Sequence, residues 1–165
     1  ARRRAGARTM STAGSNAAQA PGTGRARTLV GVWRLRRYWT RYDDDPPIYP
    51  LGEDALGYIM YTPDGFMSGT MQRAGVERFR TADRLAASGD EKANAFDGYV
   101  TYCGRYRIDG GVAYHRIELS LLPNWIGEEQ ARRIEWEDDD RLRLVGEWRF
   151  DGRRRVAVVE WERAR

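Results

Sequence analysis

Chemistry in this chain of 165 residues starts from its single histidine. His115 sits in the alternating stretch Val112 to Leu121. One face of that stretch carries Ala113, His115, Ile117, Leu119 and Leu121, and the other carries Tyr114, Arg116, Glu118 and Ser120. Successive side chains on a strand point to opposite faces, so the imidazole shares the apolar one. An imidazole that titrates near neutrality inside an apolar cavity can take and return a proton during enolisation, ring closure or dehydration. The competing reading is a core histidine bonded to Tyr102 or Tyr106. Glu118, three residues along, falls on the other face, which disfavours a His-Glu dyad within the strand.

Phenols supply the second kind of chemistry. In Tyr99 to Ile108 the apolar face is Val100, Tyr102, Gly104, Tyr106 and Ile108, which places Tyr102 and Tyr106 beside His115. Tyr58, Tyr61, Tyr102 and Tyr106 can each offer an O–H to a ligand carbonyl or simply fill the interior. The candidate catalytic set is therefore His115, Tyr61 and Tyr102. The candidate ligand contacts are Tyr58, Met67, Tyr106, Ile117, Asn124, Trp125 and Trp136. Asn124 and Trp125 follow Pro123 at a strand end, where an amide and an indole N–H can orient a polar group or cap the end of the fold.

Several chemistries drop out. No Ser-His-Asp arrangement, phosphate loop or dinucleotide fingerprint can be assembled. The runs Asp43 to Asp45 and Asp138 to Asp140 lack the ligand spacing and the following Gly and Glu of a calcium loop, so no metal site is expected. Cys103 stands alone, which leaves no internal disulfide and no CxxC pair and fits a reducing cytoplasm. No cofactor is expected. Haem on His115 is the one alternative, and an inward histidine is no sign of porphyrin by itself.

These residues need a scaffold, and the two-residue period predicts one built of strands. Strands are expected at Leu29 to Tyr42, Leu56 to Tyr61, Phe66 to Gln72, Tyr99 to Ile108, Val112 to Leu121, Ala131 to Glu137, Arg141 to Trp148 and Arg154 to Arg163. Thr62-Pro63-Asp64-Gly65 is a tight-turn sequence, and Asp109-Gly110-Gly111 and Asp151-Gly152 mark further hairpins. The Ala-rich segment Thr81 to Phe96 suits short helical turns interrupted at Gly89 and is a lid or plug candidate. Eight strands with mostly short links favour an all-β, antiparallel up-and-down barrel, with a β-sandwich as the second choice. Bulky residues on both sides of the second and third strands predict that both faces are covered, one by the Thr81 to Phe96 segment or by a second copy in a homodimer.

Composition bounds the rest. Residues 1–27 carry six arginines, no acid and no aromatic, and read as a disordered basic arm; residues 28–165 form one domain with 22 basic against 24 acidic residues. The net charge of +4 therefore belongs to the arm, and nucleic-acid binding by the fold is not expected. No apolar run approaches the roughly 20 residues of a membrane helix. No membrane partner is expected.

The residues also carry a resemblance. Gly31-Val32-Trp33, Tyr49-Pro50-Leu51-Gly52, Gly57 through Gly65, Phe96-Asp97-Gly98-Tyr99, and His115 through Gly127 with its Pro123-Asn124-Trp125 segment together resemble the lipocalin-like domain family. The likeness spans about residues 29–145. It implies a lipocalin-like barrel for a small, mostly apolar molecule, in a group that includes cyclases and isomerases of natural-product pathways. It also implies that Trp33 closes one barrel end beneath Arg163. Two functions follow as expectations. One is a cofactor-free cyclase or isomerase acting on a polyketide-type intermediate. The other is a carrier that uses the same lining without turnover.

Overall fold

The structure is a computed structural model and describes residues 27–165. The basic arm expected at residues 1–27 lies outside the described residues except for Arg27. Eight strands follow one another around a closed antiparallel barrel: β1 Gly31–Tyr42, β2 Leu56–Tyr61, β3 Phe66–Gln72, β4 Tyr99–Asp109, β5 Val112–Ser120, β6 Glu129–Trp136, β7 Arg141–Phe150 and β8 Arg153–Arg163. β8 returns to pair with β1, so the sheet has no free edge. Among the described residues no helix is long and apolar enough to cross a membrane.

Local chemistry sets the hairpins. Gly65 at φ +89° closes the β2–β3 turn, where the Thr62 hydroxyl accepts from the Phe66 amide at 3.0 Å. Gly110 and Gly111 both take positive φ between β4 and β5, as a two-residue turn between twisted strands requires. The one α-helix among the described residues, α1 Gly89–Asp97, begins where the sequence suggested an interruption. Ser88 explains the difference. Its hydroxyl accepts from the Glu91 amide, and the Glu91 carboxylate accepts from the Ser88 amide at 2.8 Å, a reciprocal cap that starts a helix.

Two bulges decide which residues face inward. In β1 the register slips around Arg36, so Trp33 and Leu35 point in before it and Tyr38 and Thr40 after it. In β5 the extra residue is Glu118, opposite Cys103 and Gly104. Beyond it Leu119 turns outward and is 66% exposed, which corrects its expected inward position. Gly104 is required here, because a Cβ on it would stand 2.1 Å from the Arg116 carbonyl oxygen.

The barrel interior divides along its axis. The end at which β1 starts is packed with Trp33, Leu35, Leu142, Leu144, Val159 and Trp161. Trp33 donates its indole N–H to the Leu29 carbonyl at 2.7 Å. Arg163 stacks over its ring at 4.1 Å and donates to the Val30 and Thr28 carbonyls. This is the closed end. The other end carries the longer connections, including the 43–55 loop, the segment with α1, and the 121–128 loop with its short 3-10 turn Pro123–Trp125.

The outer face of β2 is open in the single chain, with Leu56, Tyr58 and Met60 exposed, so the Thr81 to Phe96 segment is not what covers it. The α1 segment lies elsewhere. With β3, β4 and Leu121 it forms a groove of about 500 Å³ at the loop end, lined by Val76, Phe79, Leu85, Phe96 and Tyr99.

Candidate functional site

The site is assembled from inward-facing side chains of β1, β2, β4, β5, β6 and β8. β5 turns Ala113, His115 and Ile117 inward, and β2 turns Ile59 and Tyr61 inward. Across the barrel the Tyr61 hydroxyl meets His115 Nε2 at 2.9 Å. The histidine's partner is thus Tyr61, where the sequence suggested Tyr102 or Tyr106. Both groups are buried, and His115 is wholly inaccessible.

Burial fixes their charge. It pushes the His115 imidazole down to about 3, with the nearby Arg132 charge adding to the effect. It pushes the Tyr61 phenol well above its ordinary value, so the pair is neutral across the physiological range. The contact is one hydrogen bond, given by the Tyr61 O–H to Nε2 or by Nε2–H to the phenol oxygen according to the imidazole tautomer. Nδ1 is buried and has no protein partner among the described residues.

The remaining predicted residues fall into three groups. Tyr102 lies near His115, with ring centroids 6.0 Å apart, and Trp125 packs edge-on against Tyr102 at 5.6 Å. Burial raises the Tyr102 phenol and Arg132 opposes that shift. Ile117 is buried on the same β5 face as His115. The second group belongs to the packed end. Met67 is in the core and Trp136 packs on Trp33 at 5.9 Å. Tyr106 stacks edge-on against Tyr61, and its hydroxyl donates to the Thr62 carbonyl at 2.9 Å, so its proton is committed to the turn. The third group is peripheral. Tyr58 points out of the barrel and is 51% exposed, which removes it from the lining, and Asn124 is exposed on the 3-10 turn.

Three residues absent from the sequence-based set, Arg132, Arg155 and Tyr38, complete the interior. β6 alternates so that Gln130, Arg132, Ile134 and Trp136 share one side. Arg132 lies over Gly146 of β7, where a Cβ would stand 2.9 Å from its guanidinium. Its charge acts on Tyr38, Tyr61, Tyr102 and His115 alike. Arg155, two residues beyond Ala157 on the inward face of β8, lies over the rings of Tyr42 and Trp148 at 5.3 Å each. Tyr38 packs against the core from β1. Carrying the parity of Ile134 and Trp136 back two residues would have found Arg132. Tyr38 depends on the β1 bulge, which leaves no mark in the sequence pattern.

This arrangement can hold a molecule more readily than it can move protons. An imidazole whose cation forms only near pH 3 has no proton to give at neutrality beyond its N–H and is a weak base. The interior toward the loops instead offers aromatic walls and guanidinium donors. Among the described residues no group of three His, Cys, Asp or Glu side chains is placed to hold a metal ion.

Comparison with known proteins agrees with the architecture. Over 81 residues the chain is 28% identical to the 4'-hydroxy-3'-methoxypropiophenone carrier protein of Aspergillus oryzae, covering 44% of this chain and 73% of that protein. A redesigned β-barrel superimposes with a TM-score of 0.40 at 11% identity, over 83% of this chain and 92% of its own, a likeness too loose to carry argument. Residues 30–164 match the lipocalin-like domain, and with a match across nearly all of the described fold the chain belongs to the lipocalin-like domain family.

Proposed function

We propose that the barrel binds and carries a small, mostly apolar molecule, taken up at the loop end and held against Tyr102, Trp125 and Tyr38. The observation that carries this reading is the His115–Tyr61 pair: buried, hydrogen-bonded at 2.9 Å and neutral, it is arranged to line an interior. The relative named as a carrier of a hydroxymethoxypropiophenone supports the same class of ligand, an aromatic ketone of natural-product type. Ring closure or isomerisation with His115 as acid and base and Tyr61 and Tyr102 as partners requires the imidazole to exchange a proton, and its burial weighs against that.

The test is a fluorescence titration of the full chain with Nile red and with the hydroxymethoxypropiophenone, followed by recovery of the ligand. Saturable binding of one molecule per chain, with the ligand recovered unchanged and affinity little altered in His115→Gln, is the expected result. Recovery of a chemically altered ligand, lost in His115→Gln, would establish the enzyme reading instead. Absence of saturable binding by either probe would overturn both.

A further inference from the structure

Two cationic side chains reach the inner side of the barrel without a counter-ion. Some arginines of the outer wall are matched, since Arg34 bonds Glu162, Arg154 bonds Glu147 at 2.6 Å and Arg143 lies 3.6 Å from Glu160, whereas the exposed Arg37, Arg105 and Arg116 form no ion pair among the described residues and are free to stay in water. Such exposed pairs contribute little to stability, but they show where carboxylates sit in this fold. Arg132 and Arg155 have no carboxylate within ion-pair reach among the described residues. Residues 1–26 contain no Asp or Glu that might supply one.

Their surroundings satisfy them only in part. Arg132 donates to the Ala131 carbonyl at 2.9 Å and to the Gln130 side-chain oxygen, both on its own strand. Gly146 leaves the guanidinium its space on β7. Arg155 has a buried Nε with no protein partner and lies between two aromatic rings. The Arg132 charge reaches Tyr38 from β1, Tyr61 from β2, Tyr102 from β4 and His115 from β5, and Arg155 acts on Tyr38 as well and lies over the ring of Tyr42. None of these is a carboxylate, so no protein group among the described residues neutralises the pair. A guanidinium that is partly withdrawn from water without a counter-ion is unfavourable unless something else supplies the negative end.

We propose that Arg132 and Arg155 seat an oxyanion carried by an otherwise apolar ligand, of the phenolate or enolate class. This inference rests on the binding reading above and specifies what is bound. The flat aromatic walls from Tyr38, Tyr102, Trp148 and Trp125 suit a conjugated body, and guanidinium N–H groups are strong, forked donors to anionic oxygen. A charge delocalised into a ring costs less to take out of water than a phosphate would, which suits a lining of two cations among aromatic rings. The same field that opposes the upward shift of the Tyr102 phenol would favour ionisation of a bound ligand phenol.

The test uses para-nitrophenol, whose neutral and ionised forms absorb differently, and its methyl ether para-nitroanisole, which cannot ionise. With the full chain, the phenolate is expected to bind about tenfold or more tighter than the ether, the factor that one charge-assisted hydrogen bond supplies. The bound phenol should titrate at lower pH than the free one. Arg132→Met and Arg155→Met should each reduce that preference. Arg132→Lys should keep part of it, which separates loss of charge from loss of fold. Equal binding of both probes, or a preference untouched in the two Met variants, overturns the oxyanion seat and leaves the carrier reading standing. Failure of both probes to bind the folded protein overturns the two together.

Discussion

At the scale of single residues, the His115–Tyr61 bond makes two effects separable. Tyr61→Phe strands Nε2 in a buried site and should lower stability by about 1–3 kcal/mol, read from denaturant midpoints. The acid response belongs to His115. Its folded value is about 3 against an ordinary 6.5, so between those values the unfolded chain binds a proton that the native chain refuses. Stability from this group is fully present above about pH 6.5 and falls by up to ~1.4 kcal/mol per pH unit as pH drops toward 3. His115→Gln, which keeps a hydrogen-bonding group opposite Tyr61, should flatten that limb of the stability-against-pH curve. An unchanged slope would mean that carboxylates alone govern acid unfolding. The inward turn of His115 was legible because the alternation of Ala113, His115 and Ile117 fixes it. The identity of its partner was not, because Tyr61 reaches it across the barrel and pairing across an interior depends on closure.

At the scale of elements, the bulges do the positioning. The Glu118 bulge exists because Gly104 lets the two backbones approach, and a methyl group there would meet the Arg116 carbonyl at 2.1 Å. Gly104→Ala should therefore cost roughly 2–4 kcal/mol in chemical denaturation, well above the cost at an ordinary strand glycine. A change within about 0.5 kcal/mol would show that the bulge relaxes freely. Strand limits for β2 and β3 were readable to the residue, since the Thr62 to Gly65 turn and the acidic, proline-bearing loop bound them. The bulges were not readable, because each inserts one residue into a pattern whose only signal is alternation. Leu119 was placed inside and Tyr38 left unassigned for that reason. The helix start was misread because Gly89 drew attention as a breaker, while Ser88 and Glu91 carried the stronger starting signal.

At the scale of the whole molecule, the barrel is a packed apolar floor joined to a more polar, aromatic interior facing the longer loops. Trp33, Trp161 and Arg163 close the floor, so a ligand has to be admitted where Trp125 and the α1 segment lie. The outer face of β2 takes no part in this, and Tyr58→Ser should leave ligand affinity unchanged, whereas loss of affinity would move the site to the outside of the sheet. Fold class was legible from eight alternating stretches and their turns, and the family from its Tyr-Thr-Pro-Asp-Gly and Pro-Asn-Trp segments. The cationic interior was hidden because arginine elsewhere in this chain marks the solvent face. The most direct measurement of the central claim is native mass spectrometry of the full chain, first as purified and then with the hydroxymethoxypropiophenone added. One small molecule held per chain, released unchanged on denaturation and retained by Tyr58→Ser, is the predicted result. A chain that stays empty under both conditions while remaining folded would contradict the account.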